Sequence, residues 1–134
     1  MIDRVSALIV GKPGTLRDSL AALLEAIPDM GTVSLADDGA QALATATRDQ
    51  PALVLFDTSL PVGEVELVLQ GIRRDWPHMR CIVLVDDEQQ RQRVAAVGGK
   101  AVLKGFPAPQ LAAAVEEAVL ACRAGSGPQR RGGL

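Results

Sequence analysis

Five short apolar runs, each followed by a stretch of helical spacing, constrain this chain more than any other feature. The runs are residues 7–10, 32–35, 53–56, 82–85 and 101–103, and three of them are continuous and β-rich. That is the pattern of strands buried on both faces. Between them, apolar residues return at the period of a helix. Leu16, Leu20, Leu23, Leu24 and Ile27 share one face, as do Val65, Val68, Leu69 and Ile72, and later Leu111, Val115, Ala118, Val119 and Cys122. Residues 39–48 are Ala-rich, with Leu43 on the inner side. Residues 88–97 are the weakest helix, with only Val94, Ala95 and Val97 to bury. Pro51, Pro77 and Pro107 fall between elements, where a missing N–H does no harm. Asp37 and Asp38 precede a helix as capping residues, and Gln41 stands three places after Asp38. Strict alternation with short links predicts an α/β fold, a doubly wound five-stranded parallel sheet. Five units are too few for an eight-fold barrel.

Composition narrows the function. The 134 residues are 48% apolar, enough for one domain with a real core. One Trp, two Phe and no Tyr leave that core to Leu, Val, Ile and Ala, and leave no aromatic platform for stacking bases. No apolar run approaches the roughly 18 residues of a membrane span. Met1-Ile2-Asp3-Arg4 lacks the layout of a secretion signal, and Cys81 and Cys122 form neither a disulfide framework nor a metal motif. The expected compartment is the cytoplasm. Net charge is −2, yet residues 123–134 hold three arginines and no acid, so residues 1–122 are distinctly acidic. An acidic body argues against direct nucleic-acid binding. Residues 1–122 therefore read as one domain, and 123–134 as a flexible basic Gly-rich tail or the start of a linker.

In a doubly wound sheet, chemistry gathers at the carboxyl ends of the strands. There the sequence places Gly11-Lys12-Pro13, Asp57 with Pro61 four residues on, Val85-Asp86-Asp87, and Lys104. The Ala-Leu-Ile-Val opening at 7–10, the turn Ala36-Asp37-Asp38-Gly39, the Asp57…Pro61 loop and Lys104 together resemble the response-regulator receiver domain. The resemblance covers about residues 4 to 122, nearly the whole body. It implies the flavodoxin-like (βα)5 fold of two-component signalling. It also implies that Asp57 stands at the phosphoacceptor position and Lys104 at the phosphoryl-contact position.

Departures from that family's pattern shape the functional expectation. Receivers carry two acidic residues after the first strand to hold Mg²⁺, and here those positions read Gly11 and Lys12. Mg²⁺ requires hard oxygen ligands, which neither side chain supplies. The Ser/Thr switch position is Val85, without a hydroxyl, and the Tyr/Phe switch position is Ala101, without a rotamer to change. Asp86-Asp87 reads as the cap of the fourth helix, with a carboxylate lent to a rearranged site as the alternative. Lys12 has two readings: a solvent-directed lysine, or an ammonium beside Asp57 in the role of the absent cation. The Gly11–Thr15 segment lacks the spacing of a nucleotide-binding P-loop.

No nucleophile–base pair supports an enzyme. His78 is the sole histidine, so zinc has no ligand set, and none of Ser6, Ser19, Ser34, Ser59 and Ser126 lies in a Gly-x-Ser-x-Gly elbow. The expectation is an atypical receiver, or pseudo-receiver, acting by protein–protein interaction and needing no cofactor. Its partner would be a sensor histidine kinase, an output protein or a second copy of the chain. Gln89, Gln90, Arg91, Gln92 and Arg93 offer a polar helix as a candidate partner surface. Two alternatives stay open: a working phosphoacceptor at Asp57, and the N-terminal receiver of a longer DNA-binding transcription regulator. Mg²⁺ titrated into isotope-labelled protein is expected to give no saturable sub-millimolar amide shifts around Asp57. Saturable shifts there would show that oxygen ligands come from elsewhere.

Overall fold

A computed structural model describes residues 5–57, 59–103 and 111–121. The elements run β1 (Val5–Val10), α1 (Thr15–Glu25), β2 (Met30–Ala36), α2 (Gly39–Asp49), β3 (Leu53–Phe56), α3 (Val62–Asp75), β4 (Arg80–Val85), α4 (Glu88–Ala96) and β5 (Lys100–Leu103). Residues 111–121 are helical and are called α5. All strand pairs are parallel, in the order β2-β1-β3-β4-β5. This is the doubly wound flavodoxin-like sheet expected from the alternation.

Side-chain alternation along the three central strands builds two cores. Leu8 and Val10, Val54 and Phe56, and Val83 and Val85 point to one face, where they meet Ala42 and Ala46 of α2, Val65, Val68, Leu69 and Ile72 of α3, and Val94 of α4. Ala7 and Ile9, Leu53 and Leu55, and Ile82 and Leu84 point to the other, against Leu20 and Leu24 of α1 and Val115 and Val119 of α5. Hence β1, β3 and β4 are nearly continuous apolar runs, because both their faces are covered. The edge strands β2 and β5 are partly exposed and are longer than their apolar runs alone suggest. Ile27, expected on the first helix, lies just past its end yet still packs against the same core.

Helix boundaries follow local chemistry. Asp38 and Asp87 cap α2 and α4, each carboxylate accepting from the backbone N–H three residues on, Gln41 and Gln90. The two glutamines reach back and accept from the backbone N–H groups of Asp37 and Asp86. Helix α2 closes at Gln50, whose left-handed φ of 46° turns the chain ahead of Pro51. Proline at that point bars another helical turn. Among the described residues no helix is long and apolar enough to cross a membrane.

Cys81 lies in β4 with its side chain in the core. Burial pushes its thiol up to about 12, partly offset by the nearby Arg73 charge. The unfolded chain loses this proton from about pH 8.5 while the folded chain keeps it. The folded state therefore loses ground as pH rises. Between about pH 8.5 and 12 this one group is expected to cost up to about 1.4 kcal/mol per pH unit. Urea unfolding across that range should show the slope in the parent and a shallower one in Cys81→Ala.

Candidate functional site

The carboxyl ends of β1, β3 and β4 meet around Asp57. The strand ladder continues one residue past its ends: Asp57 N–H donates to the Val10 carbonyl at 3.0 Å, and Gly11 N–H donates to the Ala36 carbonyl at 2.9 Å. These bonds hold Gly11 beside Asp57. Asp57 is only 1% exposed, a rare place for a carboxylate. Its Oδ1 accepts from the Ser59 backbone N–H at 2.8 Å and from the Ser59 hydroxyl at 2.5 Å. The Ser59 oxygen in turn accepts from the Lys12 backbone N–H at 2.8 Å. One relay, Lys12 to Ser59 to Asp57, thus ties the β1–α1 loop to the β3–α3 loop. The other oxygen, Oδ2, is buried with no hydrogen-bond partner among the described residues. It lies where a side chain at position 11 would begin: a Cβ built on Gly11 would overlap the Asp57 carboxyl group.

On the β4 side, Asp57 borders a cavity of about 20 Å³ shared with Leu60, Val83, Val85, Asp86 and Gln90. That is room for about one water molecule. Val85 is fully buried there and presents only methyl groups to it. Asp86 is exposed, and Asp87 is committed to its cap. Capping therefore accounts for Asp87, whereas Asp86 borders the cavity beside Asp57.

Of the two readings of Lys12, the solvent-directed one holds. Lys12 does not set its ammonium against Asp57: its side chain is exposed and makes no ion pair with that carboxylate. The residue acts through its backbone N–H, because the loop turns the side chain outward as the amide turns in. On α4, part of the polar face is engaged in local bonds. Gln90 is half-buried and serves the cap, Arg91 pairs with Glu88 at 3.4 Å, and Arg93 holds Glu66 with two bonds at 2.9 and 2.5 Å. The Arg93 hydrogen bonds keep the Glu66 carboxyl below its ordinary value. Gln89 and Gln92 remain as exposed polar groups on this helix. Ala101 is half-buried on β5 and borders an open groove of about 360 Å³ with Arg91, Leu103, Ala114 and Glu117. Lys104 and the segment 123–134 lie outside the described residues.

Sequence reasoning missed three residues. In the sequence Ser59 reads only as a nucleophile, although an Asp side chain commonly accepts from the backbone N–H two residues on. Arg17, on the first turn of α1, is nearly buried. It donates to the Gly11 carbonyl at 3.1 Å and to Asp37 Oδ1 at 2.5 Å. Glu64 of α3 accepts from the Gly39 N–H at 2.6 Å, adding a second acceptor at the start of α2.

The divalent cation that the resemblance implies does not fit this donor set. Asp57 offers one enclosed oxygen, while Gly11 and Lys12 contribute no side-chain oxygen. Among the described residues no group of three or more His, Cys, Asp or Glu gathers to hold a metal.

Comparison with known proteins agrees with the architecture. The family model described as "Response regulator receiver domain" matches residues 7–116. "Oxygen regulatory protein NreC" of Staphylococcus carnosus is 30% identical over 112 residues, 81% of this chain and 52% of that protein. The same protein of Staphylococcus haemolyticus matches to the same extent, 30% over 112 residues. The chain thus spans about half the length of these curated relatives. Among solved structures, the chemotaxis response regulator CheY4 of Vibrio cholerae is 20% identical with a TM-score of 0.74, covering 86% of this chain and 98% of that one. A LuxR-family two-component response regulator from an Aurantimonas species is 20% identical with a TM-score of 0.78, covering 90% and 88%. At such identity the structural likeness is one of fold.

Arg17 joins three segments, so its removal tests how the site's loops are held. Arg17→Ala is expected to lower stability by about 1–2 kcal/mol, since it strips a charged donor from Asp37 and from the Gly11 carbonyl. Denaturant unfolding of Arg17→Ala, Asp37→Ala and the double variant should give less than additive losses. Strict additivity would show that the pair does not interact.

Proposed function

Since the chain belongs to the response regulator receiver domain family, we propose that it is a two-component signalling domain that works by docking a protein, without Mg²⁺-dependent phosphorylation of Asp57. One observation carries this reading: the Asp57 carboxylate is 1% exposed, one oxygen clamped by Ser59 and the other enclosed against Gly11. Phosphoryl transfer needs an oxygen that an incoming group can meet in line, and cationic groups to neutralise the charge that develops. Neither oxygen is open to that approach, and the donor set does not suit the metal. Val85 and Ala101 add to the reading, because a methyl group and a bare Cβ cannot relay a phosphoryl signal outward.

The partner is a protein, with a sensor kinase, an output protein or a second copy of the chain as the classes in view. The reading places the domain in the cytoplasm, with no direct contact to nucleic acid and no enzymatic activity of its own. Relatives about twice as long favour a further output segment in the whole protein. The second reading, a working phosphoacceptor, draws support from the unpartnered Oδ2 and from membership of the receiver family.

Incubation with acetyl phosphate and Mg²⁺ separates the two. The expected result is no hydroxylamine-sensitive phosphate above the level of Asp57→Ala, with binding to the captured partner unchanged in that variant. Acid-labile phosphate on Asp57, with partner binding that tracks it, would establish the second reading.

A further inference from the structure

We propose that Gly11 is the berth of the Asp57 carboxyl group and Ser59 its clamp, so that the residue at position 11 decides whether Asp57 is buried or exposed. This deepens the reading of Asp57 as a held carboxylate and rests on it. It adds the determinant that does the holding.

Three observations converge on it. A Cβ at position 11 would have the Oδ2, Cγ and Oδ1 atoms of Asp57 as its three nearest neighbours, the last at 2.5 Å. Real Cβ contacts are far longer, so Asp57 occupies space that only glycine leaves free. Ser59 donates twice to Oδ1, and its oxygen is fixed by the Lys12 N–H, the residue next to Gly11. Lys12 therefore links berth and clamp, covalently to Gly11 and through its N–H to Ser59. Finally, Oδ2 is buried with no partner among the described residues. A carboxylate oxygen in that condition gains by reaching water, so it stays only while something holds the group and leaves it room.

With any side chain at 11 the carboxyl must swing out of the sheet end. Both Ser59 bonds then break, and the relay to Lys12 loses its terminal acceptor. Ser59 is thus a positioning residue for Asp57, and Gly11 is the gate on its exposure.

A thermodynamic cycle tests this in the intact chain, using the parent, Gly11→Ala, Asp57→Ala and the double variant. Gly11→Ala is expected to shift the unfolding equilibrium about tenfold or more against the fold, the scale of a methyl group forced into filled space. In the Asp57→Ala background the same substitution should be nearly neutral, because the atoms it strikes are gone. If Gly11→Ala does not fold alone, folding of the double variant supports the berth and its failure overturns it.

Carbodiimide-driven amine coupling, read by mass spectrometry, gives the second measurement. Parent Asp57 should stay unmodified while exposed Asp86 couples. Gly11→Ala or Ser59→Ala should raise Asp57 coupling several-fold, and Ser59→Thr, which keeps the hydroxyl, should return it towards the parent level. Equal destabilisation by Gly11→Ala with and without Asp57 would overturn the proposal, as would coupling at Asp57 that neither variant changes. Phosphate on the parent's Asp57 would overturn the proposed function instead, a result independent of the cycle.

Discussion

Around the tip of the central strand, the loops are arranged by one demand: a carboxylate has left water and must be answered there. Asp57 follows β3, the middle strand, and the sheet on either side closes over it. The backbone supplies part of the answer through the Ser59 N–H, and a hydroxyl supplies the rest. Because that hydroxyl is itself oriented by the Lys12 amide, the geometry of the β1–α1 loop enters the environment of a residue 45 positions later. Arg17 anchors the same loop from beneath, through the Gly11 carbonyl, and carries the tie onward to Asp37 at the start of α2. Local hydrogen bonds and one ion pair thereby connect the ends of β1, β2 and β3.

Most of the fold was legible because parallel strands covered on both faces leave an unmistakable record. Residues 53–56 are apolar without interruption since Leu53 and Leu55 feed one core, and Val54 and Phe56 the other. Helix starts were equally readable, as Asp38 with Gln41 and Asp87 with Gln90 are local chemistry written within four residues. Edge strands were less so: β2 extends to Met30 and Ala36 through residues whose exposure breaks any simple pattern.

The site itself divides along the same line. Asp57 could be found from its place after an apolar run, and Gly11 from its departure from a family pattern. What those two residues do to each other could not, since their contact depends on register between strands. In the same way Lys12 suggested its charge, whereas the fold uses its amide. Nothing in the sequence sets Arg17 apart from other helix charges. Arg17 is enclosed because a carbonyl from one loop and a carboxylate from another converge on it.

The paired caps at the starts of α2 and α4 have an electrostatic consequence. The amino end of a helix normally offers free amides and partial positive charge, a natural landing place for a phosphate group. Here the starts of α2 and α4 carry their own carboxylates: Asp38 at one, Asp87 at the other, with Glu64 adding a third on the Gly39 amide. At these two starts an amide is already spent on a carboxylate, and negative charge stands in front of it. A phosphate approaching either of these two helix starts therefore meets like charge before it meets an amide.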